Sequence, residues 1–228
     1  EVVQNSLWSL NWVTRKEVAE RAKLMGFSNE LDILGIHVRR GDKKTDNHNK
    51  YHPGQDYVHA LLLAVEDLRL CRAGGCQLVV ASDDENAWKE VQAALEANNV
   101  NSSFIKLLPQ PPDSVTTQLS AVAVELAACM KSSIHSMQMM EEVITDVELL
   151  SRASVIVGTV GSQITRVAAS VGWQRGTLKR ATILDYEVLS YLRWTFSQLS
   201  RLFNIDDVPW YKPPGYKQEG DFMKPWPA

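Results

Sequence analysis

The chain has 228 residues, of which 45% are hydrophobic and 22% charged, and a formal net charge of −3. This is the composition of an ordinary globular protein with material for one large or two small domains. The charge excludes a whole-molecule attraction to nucleic acid, and no apolar run is long enough to span a bilayer. The chain opens at Glu1 without a methionine. It therefore reads as a trimmed piece, with room upstream for a signal peptide or membrane anchor.

TRKEVAERAKLMGF (14–27) has helical spacing, with Val18, Ala22 and Met25 on one face and Gly26 as a stop. LDILGIHV (31–38) is a buried strand running straight into Arg39, Arg40, Asp42, Lys43 and Lys44. Clustered cations at the carboxyl end of a parallel strand suit an anionic ligand, and each arginine can fork onto phosphate oxygens. A polar loop to His52-Pro53-Gly54 follows, then an amphipathic helix over 56–71. QLVVAS (77–82) predicts a strand closed by Asp83 and Asp84, 85–98 a helix, and SFIKLL (103–108) a short strand. After a loop at 110–118, helical patterns cover 119–140 and, as a further helix, 141–153. SVIVGTV (154–160) is a strand leading into GSQITRVAASVG, a turn and helix. ATILDYEV predicts one more strand and 191–203 a helix. The tail from Val208 carries five prolines among aromatics and reads as extended and packed on the body, or disordered. Trp210 and Trp226 either pin that tail or stack on a sugar, and pinning is the favoured reading. Strands alternating with helix-length patterns imply βαβ units, an α/β fold with a parallel sheet flanked by helices.

Cys71 and Cys76 flank the turn-prone RAGG and can close a small disulfide loop, whereas Cys129 sits in an apolar helical pattern. Asn101-Ser102-Ser103 is a glycosylation acceptor triplet in a polar stretch. Together these lean toward a secretory compartment.

Three strand ends line up: the arginine cluster, Ser82-Asp83-Asp84, and Thr159-Val160-Gly161-Ser162-Gln163. In a parallel sheet all three face one crevice, where a helix opening at Gly161-Ser162 offers N–H groups and a dipole to phosphate. Asp83, Asp84 and Ser162 suit helix capping as well, and the two roles are compatible.

At this point GIHVRRGDK resembles the His-x-Arg-Arg-x-Asp-Lys motif of the α1,6-fucosyltransferases, which use GDP-fucose. ERAKLMGF, HPGQDY, ASDDE and VITDVELLSRASVIVGTVGSQITRVA resemble further family segments in family order, from about Val13 to Gly172. The resemblance implies the Rossmann-like carboxyl-terminal donor lobe (residues 1–205) of a two-lobed GT-B-type enzyme, followed by a Pro/aromatic-rich tail (206–228). An acceptor-side lobe is expected before it. It implies transfer of fucose to an N-acetylglucosamine of an oligosaccharide or glycoprotein acceptor, in the Golgi lumen, with a membrane anchor upstream. No nucleic-acid partner is implied.

Carried residue by residue, the resemblance gives Arg39 the β-phosphate, and Arg40 either the holding of its loop or added charge. His37 and Asp146 would lie near the guanine. Asp83 and Asp84, and with them Asp42, would belong to the donor pocket or its support. Ser162 and Gln163 would bind phosphate, Tyr57 would lie near the donor, and Lys43 at the reaction centre. The family's glutamate after that lysine is absent. Asp46 fits its place only with a one-residue gap, and stands equally well as a solvated loop acid. Arginines in place of a cation imply a reaction without a metal or other cofactor. Adjacent Asp83 and Asp84 on a strand would also point to opposite faces rather than to one metal. Related arginine motifs keep protein O-fucosylation open, and a non-catalytic nucleotide-sugar-binding module is a third reading.

Overall fold

The computed structural model describes residues 12–28, 30–40, 51–72, 74–110, 133–159, 161–184 and 210–211. In chain order the elements are α1 (Trp12–Leu24), β1 (Asp32–Val38), α2 (Gly54–Asp67), β2 (Cys76–Ser82), α3 (Glu85–Ala97) and β3 (Ile105–Leu107). Then come α4 (Ser133–Leu150), β4 (Val155–Gly158), α5 (Gln163–Gln174), β5 (Arg180–Ile183) and β6 (Trp210–Tyr211). The sheet order is β3-β2-β1-β4-β5-β6, and every pair is parallel. This is an α/β, Rossmann-like fold. The short β6 brings Trp210 and Tyr211 of the tail alongside Ala181 and Thr182.

The strands are apolar nearly throughout because both faces of the sheet are covered. On one face Leu34, Ile36 and Val38 of β1 pack with Val58, Leu61 and Val65 of α2 and Ala87 and Val91 of α3. On the other, Ile33 packs with Met25, with Val147, Leu149 and Leu150 of α4, and with Ala168 and Ala169 of α5. Period-two alternation thus divides one strand between two cores.

Several sequence expectations shift by one to four residues, the largest being the helix expected over 56–71, which ends at Asp67 and gives way to a turn. One changes in kind. The patterns at 133–140 and from 141 onward belong to a single helix from Ser133 to Leu150, where a break after 140 was expected, and 111–132 lie outside the described residues. The acidic pair Glu141-Glu142 reads as a new start, but Glu142 is buried in the middle of the helix and accepts from Arg21 Nη2 at 2.8 Å. The expected helix at 191–203, most of the tail, Cys129 and Trp226 lie outside the described residues.

Cys71 and Cys76 are joined, with their Cα atoms 5.0 Å apart. Among the described residues, no helix is long and apolar enough to cross a membrane.

Candidate functional site

The chain runs outward from β1 to β2 and β3, then returns through α4 to β4 on the other side of β1. The direction of winding therefore reverses between β1 and β4. At such a reversal the helices after the two strands lie on opposite faces, and a crevice opens beyond the strands' carboxyl ends.

Register brings the charged groups of this end together. Val38 of β1 pairs with Ser82 of β2. The next residues along, Arg39 with Asp83 and Arg40 with Asp84, are neighbours on leaving the sheet. Ser82 Oγ ties the two strand ends by donating to the Val38 carbonyl at 2.8 Å. Asp83 accepts the Arg39 guanidinium on Oδ2 and the Arg40 backbone N–H on Oδ1, the latter at 2.8 Å. Asp84 caps α3 by accepting from Asn86 N at 3.0 Å, and also lies 3.7 Å from the Arg40 guanidinium.

The two arginines have different surroundings. Arg40 is 4% exposed and forks onto Glu90, at 2.7 Å to Oε1 and 2.6 Å to Oε2. Its Nη2 also donates to the His52 carbonyl at 2.9 Å, and its guanidinium lies over the Tyr51 ring at 4.5 Å. Burial opposes its charge, but the Glu90 hydrogen bonds and charge outweigh that and raise its pKa. The same hydrogen bonds lower that of Glu90, helped by the Gly54 N–H at 3.1 Å. Burial and the Glu90 carboxylate raise the Tyr51 phenol, against the pull of Arg40. Arg40 thus holds residues 51–54 against α3. A Cβ at Gly54 would stand 2.7 Å from the Glu90 backbone, so only glycine permits this approach. Arg39 remains partly exposed at the crevice, its side chain 16% accessible.

His37, the last core-facing residue of β1 on the α5 side, is 2% exposed. Its Nδ1 shares a hydrogen bond of 2.7 Å with Thr165 Oγ1, a bridge across the reversal point. Burial above all, with Arg39 adding and Asp83 opposing, lowers its pKa to about 4, so it is neutral at physiological pH. Thr165 also presses on β4: a Cβ at Gly158 would meet its Oγ1 at 2.7 Å. Gly158 is what lets α5 seat this closely at the mouth of the crevice. Ser162 is the buried N-cap of α5, and its hydroxyl makes no capping bond to the helix. Gln163, the first helical residue, is exposed.

Tyr57, in the first turn of α2, is 1% exposed, with its ring edge-on to His52, and it lies near enough to bear on the Arg40 charge. Asp146 is a partly buried carboxyl of α4, and the charged groups that bear on its titration are Glu142 and Arg21. Burial first and Glu142 second push it up to about 7, against Arg21. Asp42, Lys43 and Asp46 lie outside the described residues.

Sequence reasoning missed Glu90 and Thr165. Glu90 looks like any solvated acid of an amphipathic helix, and Thr165 like a helix residue. Only the β1–β2 register and the close seating of α5 reveal what they hold. Among the described residues, no group of three or more His, Cys, Asp or Glu is arranged to hold a metal ion. No protein-family model matches the chain.

Proposed function

We propose that this chain is the donor-binding domain of a GDP-fucose-dependent glycosyltransferase of the α1,6-fucosyltransferase kind. The ordered set of motifs resembling that family supports the reading. One observation carries it: Arg39 is held by Asp83 at the reversal point of a Rossmann-like sheet, facing an α5 that opens with Gly161-Ser162. A diphosphate between them meets a cation on one side and backbone N–H groups with a favourable dipole on the other. Arg40, whose two terminal nitrogens are taken by Glu90 and the His52 carbonyl, acts as a positioning residue.

In the reaction so proposed, a base takes the proton of an acceptor sugar hydroxyl. Asp46 is the candidate, with Lys43 as relay. The freed oxygen bonds to C1 of fucose as the bond from C1 to the β-phosphate oxygen breaks, inverting C1. GDP leaves with the electron pair, its new charge met by Arg39. Arginine serves the electrostatic role that a divalent ion serves in other such enzymes. The Cys71–Cys76 bond supports an oxidising compartment, in keeping with the Golgi lumen. The acceptor is an N-acetylglucosamine-containing oligosaccharide or glycoprotein.

A second reading has its own support. The family's glutamate is absent after Lys43, which favours a module that binds nucleotide sugar without turning it over.

Calorimetric titration with GDP, GDP-fucose and UDP, with and without chelator, tests the donor site. Chelator-insensitive binding that prefers the guanine nucleotides is expected. A folded chain that binds none of them, or prefers UDP, would overturn the reading. Transfer to chitooligosaccharide by the full-length protein then separates enzyme from binding module.

A further inference from the structure

We propose that Asn101 is a site of N-linked glycosylation. Asn101-Ser102-Ser103 is the only Asn-x-Ser/Thr triplet in the 228 residues. It occupies the turn between α3 and β3, and residues 101–104 are all exposed. The turn is locally built: the Asn101 carbonyl accepts from Phe104 N at 2.8 Å and Ile105 N at 3.0 Å. Asn101 Oδ1 accepts from Ser103 N at 2.9 Å. That bond fixes the side chain through its oxygen, and among the described residues the amide nitrogen, the atom that is modified, has no hydrogen-bond partner.

Two further features suit this position. The turn abuts the disulfide loop: Cys76 N donates to the Phe104 carbonyl at 2.8 Å, and the Ser103 carbonyl lies 2.6 Å from where a Gly75 Cβ would stand. The acceptor triplet and the disulfide, two features at home in a secretory lumen, thus share one corner. That corner is at the opposite end of the sheet from Arg39. Ile105 pairs with Cys76, and Cys76 with Asp32, the first residue of β1. A glycan on Asn101 leaves the crevice open. It also stands beside β3, the three-residue edge strand, where a bulky hydrophilic group hinders pairing with another chain.

The chemistry balances with one co-reactant class, a lipid-diphosphate-linked oligosaccharide supplied to a membrane oligosaccharyltransferase. Asn101 Nδ2 bonds to C1 of the terminal N-acetylhexosamine. The bond from C1 to the diphosphate oxygen breaks, the lipid diphosphate leaves with the electron pair, and Nδ2 loses one proton. The inference rests on the secretory part of the proposed function and on none of the donor chemistry.

The test uses the protein isolated from its own cells, treated with peptide-N-glycosidase in heavy-oxygen water and analysed by peptide mass spectrometry. Heavy-labelled aspartate at position 101 is expected. Unlabelled Asn101 throughout would overturn the proposal. As a second arm, the full chain is sent to the lumen of a eukaryotic cell by a foreign signal peptide, with a known acceptor tag appended. Two glycans are expected on the wild type and on Ser103→Thr, and one on Asn101→Gln and Ser103→Ala. A glycosylated tag beside a bare Asn101 in the wild type would overturn the site. Calorimetry on unglycosylated bacterial protein is independent of both arms. An occupied Asn101 on a chain that ignores GDP leaves this inference standing and removes the donor reading, and the reverse result removes this inference alone.

Discussion

The two walls of the crevice are built on opposite principles. The β2 wall is dense with charge: Arg39, Arg40, Asp83, Asp84 and Glu90 lie within one set of ion pairs. The wall formed by β4 and α5 is made of small uncharged residues, Gly158, Thr159, Gly161, Ser162 and Thr165, and is fastened to β1 by the His37–Thr165 bond. The charged wall can hold a cation in a fixed place because acids surround it. The uncharged wall lets backbone come close to a ligand because few side chains intervene. On the function proposed above, a diphosphate needs both. The difference also assigns unequal jobs to two adjacent arginines, since Arg39 reaches the crevice and Arg40 turns back into its own wall.

Substitution separates those jobs. Arg39→Ala is expected to lower GDP-fucose turnover by about 100-fold or more, the scale of losing one preorganised donor to a developing oxyanion. Its urea midpoint should fall less than that of Arg40→Ala, because Asp83 keeps the Arg40 backbone N–H when Arg39 is lost. Arg40→Ala should do the reverse. Removing a cation 4% exposed strands the carboxylates of Glu90 and Asp84. The expected loss of stability is about 2–3 kcal/mol, below the full value for a buried pair because Glu90 keeps some solvent. Equal effects of the two substitutions on turnover, with both proteins equally stable, would erase the distinction. The far end of β2, away from the crevice, offers a smaller test. Replacing Cys71 and Cys76 together by serine opens a loop with a sequence separation of 5 and should cost about 2 kcal/mol in the chain-entropy account. GDP affinity measured below the unfolding transition should not move.

Much of this was legible in the sequence because parallel strands announce themselves. LDILGIHV, QLVVAS and SVIV are apolar runs ended by polar clusters, and carboxyl-end chemistry follows from parallel topology alone. The charged wall was half legible. Arg39, Arg40, Asp83 and Asp84 stand out as pairs, but which acid takes which arginine depends on Val38 aligning with Ser82, a register that no single strand reveals. Glu90 was illegible for the same reason, since it meets Arg40 only after α3 has packed beside α2. The uncharged wall was legible as a turn and helix start. The Gly158–Thr165 approach was not, because close packing leaves no mark on a sequence beyond one glycine. Asp146 was legible only through its place in a family-like motif, and the groups that set its titration, Glu142 and Arg21, come together only when α4 packs beside α1.

His37 and Asp146 supply the subtlest test of the contrast between the crevice and the body beneath it, because their titrations oppose each other. His37 has its pKa lowered from 6.5 to about 4. Between those values the unfolded chain binds the proton and the native chain does not, so its contribution to stability is present above pH 6.5 and is lost as pH falls toward 4. Asp146 is raised from 3.8 to about 7. The native chain holds that proton, so its contribution is present below pH 3.8 and is lost as pH rises through 7. From pH 4 to 6.5 the two slopes largely cancel. Asp146→Asn removes one of them, and stability should then rise with pH across this window by at most about 1.4 kcal/mol per unit, the slope of a single proton. Urea midpoints at pH 4.5, 5.5 and 6.5 measure it. A profile in Asp146→Asn no steeper than the wild type would mean that Asp146 carries its charge freely in the fold, and that the body beneath the crevice does not set the pH response.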